Sequence, residues 1–223
     1  HYLSRFIYSD PLNDIFVLRI PMFVLKGSFI MKTLVLDTST PYLVMGILQH
    51  DHCLGSSVRF LERQHAEQLL PTLEALLKQT QSALEDIQEI IFSHGPGSFT
   101  GIRLALTMVK TLGLTQTIDV YAIPSLYFLA LPNHKVVATM DARGHRYYVA
   151  MMDGYHMIQA PHILDEATLE AWLIEHPEWK KRSIESAFHE PKTLFEAAYH
   201  AKQHFPKVTS LGTLVPMYLK DIQ

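Results

Sequence analysis

The chain has 223 residues, 48% of them hydrophobic and 18% charged, values of an ordinary globular protein that exclude a disordered, collagen-like or coiled-coil chain. Its 19 Lys and Arg against 22 Asp and Glu give a formal charge of −3, which argues against a protein that grips nucleic acid unaided. The one cysteine, Cys53, excludes an intrachain disulfide and a cysteine-built zinc cage, and it fits a reducing, cytoplasmic setting.

Residues 1–30 carry Pro11 and Pro21 and show no clear period. Their most apolar stretch, residues 15–30, is interrupted by Arg19, Pro21 and Lys26, so a bilayer span of about 20 apolar residues is not expected there. Met31 is followed at once by the strand-like run Thr33-Leu34-Val35-Leu36, and residues 1–30 are expected to be an extension outside the main fold. Residues 33–38 read as a buried strand that ends in the polar run Asp37-Thr38-Ser39-Thr40, and residues 42–48 and 53–60 complete a meander. A helix is expected over 64–79, where Ala66, Leu69, Leu70, Leu73, Leu76 and Leu77 recur on one face; Pro71 should kink or end it. A strand at 89–93, a glycine-rich turn, a helix at 99–114, a strand at 119–123 and a short helix from 125 follow. This order implies a mixed sheet, with parallel strands joined to an antiparallel meander, in a first lobe over 31–131. After a linker at 132–134, strands at 135–140 and 146–152 and helices near 165–175 and 191–204 make a smaller second α/β lobe over 132–223.

The sharpest motif is Ser93-His94-Gly95-Pro96-Gly97-Ser98-Phe99-Thr100-Gly101-Ile102-Arg103, between a strand and a helix. Gly95 and Gly97 permit backbone angles closed to other residues, and Ser98 or Thr100 can cap the helix. Backbone N–H groups at that helix end suit an anion, and a purely structural tight turn explains the same residues equally well. Asp37, Thr38 and Ser39 offer a carboxylate and hydroxyls for a magnesium–phosphate group, against the simpler reading of a polar turn. Asp141-Ala142-Arg143-Gly144 is either a second phosphate loop or a hairpin turn. His50 with His52, and His200 with His204, are spaced like metal ligands but show no third partner, so no metal site is expected and both pairs read as solvent-exposed.

Taken together, the strand 34–40, the run Arg63-Gln64-His65-Ala66-Glu67-Gln68-Leu69-Leu70-Pro71, the nonapeptide 95–103, Asp141-Ala142-Arg143 and the tail Pro216-Met217-Tyr218-Leu219-Lys220 resemble the TsaB (YeaZ) family, with Lys220 where arginine is usual. The resemblance implies an α/β fold of the actin/Hsp70/sugar-kinase (ASKHA) type with a shortened second lobe. It implies a non-catalytic scaffold in the making of threonylcarbamoyladenosine in tRNA, paired with a TsaD-type transferase, and a TsaE-type ATPase and tRNA reached only through the complex. The family's catalytic relative carries a metal-binding histidine pair where this chain reads Ile123-Pro124-Ser125-Leu126-Tyr127-Phe128-Leu129-Ala130, so no catalytic residue is expected. Asp37, Thr38, Ser39, Gly95, Gly97, Ser98 and Asp141 are the candidates for binding a nucleotide or anion, with ATP or ADP and magnesium as the ligand; no cofactor is otherwise implied. His65, Leu69, Leu73, Leu76, Gly101, Ile102, Ala105, Met108 and Leu112 are the candidate partner interface, shared between a homodimer and the TsaD complex. Rival readings are a small ATPase or kinase and a metallopeptidase.

Overall fold

The computed structural model describes residues 31–187 and 191–219, together with the short paired strands β1 (Ile7–Tyr8) and β2 (Val17–Leu18). The expectation for the rest of residues 1–30 lies outside the described residues, as does Lys220.

The sequence around Lys32–Asp37 (β3) is aliphatic on successive residues because both faces of the strand are covered. Leu34 and Leu36 point to one side, and Val35 points to the other. β4 (Tyr42–Gln49) and β5 (His52–Phe60) follow antiparallel, while β6 (Ile87–Ser93) and β7 (Asp119–Ile123) run parallel to β3, in the order β5-β4-β3-β6-β7. The two helices α1 (His65–Gln79) and α2 (Phe99–Thr115) cover the Leu34 face. Pro71 neither ends nor divides α1, which runs on to Gln79; its ring lies in the second turn on the exposed side, where the missing N–H takes one bond from the ladder.

The second sheet has the order β10-β9-β8-β11, from β8 (Lys135–Asp141), β9 (Arg146–Asp153), β10 (His156–Asp165) and β11 (Lys180–Ser183). α3 (Glu166–Glu175) covers one face, with Leu169 against Val137 and Val149. Two of these strands depart from the sequence expectation. β10 contains Pro161 and has register shifts on either side of Gln159, which erase the period of two. β11 reads Lys-Lys-Arg-Ser and is a strand because it pairs in parallel with β8; its buried Arg182 donates to the Leu129 carbonyl at 3.1 Å and to Thr193 Oγ1 at 2.8 Å.

The short helix α4 (Ile184–Ala187) leads toward α5 (Pro191–Ala201), which stops three residues before the expected 204. Within 132–223, α5 and the tail after it return to the first sheet. Phe195 occupies the space a side chain would need at Gly46 of β4, since a Cβ there would stand 2.4 Å from its ring. Lys202 reaches the buried Glu89 of β6 at 3.0 Å, and Thr33 Oγ1 donates to the same carboxylate at 2.6 Å. Val208 N–H donates to the Val120 carbonyl of β7 at 2.8 Å. The Val35 face of the first sheet, the 3-10 turn Ser125–Leu129, α5 and the inner face of the second sheet therefore share one core.

Candidate functional site

The end of β3 and the end of β6 lie side by side, which brings the Asp37 turn against the glycine motif. Asp37 is 1% exposed; its Oδ1 accepts from the Ser39 N–H at 2.8 Å and from the Ser93 hydroxyl. Burial pushes its carboxyl pKa up, and hydrogen bonds from Ser93 and Ser39 and the nearby His65 offset part of that rise. Asp37 Oδ2, Ser39 Oγ and His65 Nε2 are buried without a hydrogen-bond partner among the described residues.

Gly95 and Gly97 have φ of 117° and 148°, angles that favour glycine. A Cβ on Gly95 would stand 2.5 Å from the Met217 carbonyl oxygen, one on Gly97 2.3 Å from the Ser39 carbonyl oxygen, and one on Gly101 1.8 Å from the Thr38 carbonyl oxygen. The loop is pinned in this position. Ser98 N–H donates to the Ser39 carbonyl at 2.6 Å, and Thr38 Oγ1 donates to the Gly101 carbonyl at 2.7 Å. Met217 N–H donates to the His94 carbonyl at 2.6 Å, and Ser98 Oγ caps α2 by accepting from Gly101 N–H at 3.2 Å. His94 Nδ1 meets the Ile123 carbonyl at 2.9 Å, and burial pushes the His94 pKa down.

These contacts bear on the anion reading. The glycines are small so that the β3 turn and the C-terminal tail can approach, and what approaches is a set of carbonyl oxygens. A phosphate placed there would meet like partial charges and lose the N–H of Ser98, which already has a partner. Asp37, Thr38, Ser39, Gly97 and Ser98 do come together, with Gly95 against the tail. Asp141 takes no part: it is exposed, and its Oδ1 accepts from Arg143 N–H at 2.7 Å in its own hairpin turn.

The candidate interface also changes. Leu69, Leu73 and Leu76 are 2–4% exposed, and Ile102 and Ala105 are fully buried. Gly101, Met108 and Leu112 are buried too, and His65 is half-buried. Leu69, Leu73, Leu76, Ala105, Met108 and Leu112 face the first sheet and each other, because each helix must cover that sheet before it can cover anything else. The outward side of the same helices carries Leu70 at 60%, Phe99 at 54% and Leu114 at 87% exposure. Of these only Leu70 lies in the periodic stripe, and Phe99 and Leu114 fall off the buried period, which is the one signal that marked them. The segment Ile123–Ala130 is wholly buried between the two sheets.

The strand order and the two sheets define a protein of the actin/Hsp70/sugar-kinase class with a small second lobe. The family model described as "TsaD: tRNA N6-adenosine threonylcarbamoyltransferase" matches residues 58–217. YeaZ from Pseudomonas aeruginosa superposes with a TM-score of 0.67 at 25% identity, over 85% of this chain and 100% of that one. The tRNA threonylcarbamoyladenosine biosynthesis protein TsaB of Bacillus subtilis (strain 168) is 33% identical over 100 residues, 45% of this chain and 44% of its own length. TsaB of Escherichia coli (strain K12) is 27% identical over 119 residues, 51% of each chain. The chain belongs to this threonylcarbamoyltransferase-related family, on the side of its TsaB (YeaZ) members. It spans about half the length of the curated relatives it matches.

Proposed function

We propose that this chain serves the synthesis of threonylcarbamoyladenosine in tRNA as a non-catalytic subunit that docks on a TsaD-type transferase. The observation that carries the reading is the closed glycine loop: Thr38, Ser39 and Met217 turn carbonyl oxygens toward Gly101, Gly97 and Gly95, where a nucleotide-using relative would need open N–H groups. The loop then acts as a rigid joint that sets the angle between the first sheet and α2. Docking falls to the outward side of α1 and α2, around Leu70, Phe99 and Leu114, rather than to the inward stripes. Exposed leucines there cost little in the free chain and contribute about 1.5–3 kcal/mol each when fully covered. A homodimer and the transferase complex compete for this side, and a TsaE-type ATPase and tRNA join the assembly rather than this chain alone. The setting is the cytoplasm; no helix among the described residues is long and apolar enough to cross a membrane.

Reconstitution tests this. With a TsaD-type transferase, its threonylcarbamoyl donor and tRNA, modification should depend on adding this chain, and the chain alone should form no product. Leu70→Glu should weaken capture of the transferase at least about tenfold while leaving the circular-dichroism spectrum intact. Leu73→Glu, by contrast, places a charge in the core and should unfold the chain. Product formation by the isolated chain, or full capture by Leu70→Glu, would defeat the proposal. Calorimetric titration with ATP and magnesium is expected to show no specific binding.

A further inference from the structure

Helix α2 and the tail that runs beside it carry no acidic side chain: residues 97–115 and 206–219 contain no Asp or Glu. After α5 the tail meets β7, where Lys207 makes an antiparallel bridge with Tyr121 and its Nζ pairs with Asp119 at 2.6 Å. It then follows α2 from one end to the other. Leu211 fills the hollow at Gly113 in the last turns of the helix, and Tyr218 stacks on Phe99 in the first turn with centroids 5.3 Å apart. Between these anchors Val215 stands exposed. Phe99, Arg103, Lys110 and Leu114 recur with the helical period on the outward side of α2, so helix and tail form one continuous stripe. Its exposed apolar groups are Phe99, Leu114, Val215 and Tyr218. Its free charges are Arg103, whose guanidinium lies 4.9 Å from the centre of the Phe99 ring, and Lys110; among the described residues neither forms an ion pair.

We propose that this stripe selects the partner: it receives an acidic amphipathic segment of the transferase, whose apolar side covers Phe99, Leu114, Val215 and Tyr218 and whose carboxylates meet Arg103 and Lys110. The inference rests on the docking reading above and adds to it the chemistry of the partner and its direction across this chain. Charge sets that direction. The neighbouring helix α1 presents exposed Glu67 and Glu74 on the same face as Leu70, at the spacing i, i+3 and i+7. An acidic segment is repelled by α1 and attracted by α2, so it lies along α2 and the tail rather than across both helices. In a chain of formal charge −3, this is a side from which carboxylates are missing. RNA suits the stripe less well. Two free cations supply few phosphate contacts, and the Phe99 ring that a base would stack on is already covered by Tyr218 and Arg103.

The test is capture of the TsaD-type transferase by the immobilised full chain, read as an apparent Kd at about 50 mM and about 300 mM sodium chloride. Capture by the unmodified chain should weaken at least about fivefold with the added salt. Arg103→Glu combined with Lys110→Glu should weaken it at least about tenfold at the lower salt. Arg103→Gln combined with Lys110→Gln, which serves if the reversed pair folds poorly, should weaken it about two- to fivefold and remove most of the salt response. Full capture by both paired variants, or a Kd of the unmodified chain that ignores salt, would overturn the stripe; the docking reading would still stand if Leu70→Glu loses capture. An unmodified chain that captures no transferase at either salt would overturn the docking reading and this inference with it. Binding of tRNA by the chain alone, or self-association, that the paired variants abolish while transferase capture stays intact would assign the stripe to RNA or to a second copy, and either would overturn the proposal.

Discussion

Gly101→Ala sets two physical effects against each other with opposite signs. In the interior of an exposed helix the change from Gly to Ala stabilises by about 1 kcal/mol, because alanine has less backbone freedom to lose. Here the new Cβ would lie 1.8 Å from the Thr38 carbonyl oxygen, which is backbone and cannot swing aside. Ordinary van der Waals contact requires the β3 turn and α2 to separate by more than 1 Å, on the order of the gap that forfeits much of a packing contact. That displacement strains the Thr38 to Gly101 bond at 2.7 Å and the Ser98 to Ser39 bond at 2.6 Å. Overpacking costs about 1–3 kcal/mol and each hydrogen bond about 0.5–1.5 kcal/mol net. Subtracting the gain in helix propensity leaves a loss of about 1–5 kcal/mol. Urea unfolding followed by circular dichroism measures it as a lower midpoint at unchanged slope. A thermal scan should show a drop of roughly 2–20 °C for a chain of this size. Gly113→Ala is the control in the same helix, since its Cβ would meet only the end of the Leu211 side chain, which can move. A Gly101→Ala midpoint equal to or above that of the parent would refute the close approach and, with it, the closed loop.

The pH dependence of Asp37 follows from the direction of its shift. Its folded pKa is raised, so the folded chain holds the proton longer than the unfolded one, and ionising the carboxyl on going up from acid pH costs stability. Asp37→Asn keeps an acceptor for Ser39 and Ser93 and should leave urea stability at neutral pH unchanged or higher; a marked loss would show that the carboxylate is needed charged. Lys202→Met leaves the buried Glu89 carboxylate with Thr33 alone and should cost about 3–5 kcal/mol in urea unfolding. Adding Glu89→Gln to that variant should recover a good part of the loss, and no recovery would mean that Lys202 acts by packing rather than by charge.

The first sheet and its helices were legible in the sequence because each side chain's direction is set locally. Leu34, Val35 and Leu36 alternate across β3, and Leu69, Leu73 and Leu76 recur along α1. Periodicity says that a face is covered and is silent about what covers it, which is why the two stripes read as a docking surface although they pack on their own sheet. The second sheet was half legible. β8 and β9 are apolar runs, whereas β10 is broken by Pro161 and β11 is charged, and both are strands through pairing alone. The glycine motif announced a special backbone, yet the groups that meet Gly95, Gly97 and Gly101 come from Met217, Ser39 and Thr38, far away along the chain. The helix end and the serine cap at Ser98 were readable from composition; the carbonyl oxygens filling the space were not.

The return of α5 to the first sheet has a consequence for biosynthesis. Gly46 and Glu89 are made more than a hundred residues before their partners Phe195 and Lys202. The first sheet therefore leaves the ribosome with one side uncovered, and it must wait in a sticky, unfinished state until α5 arrives to seal it.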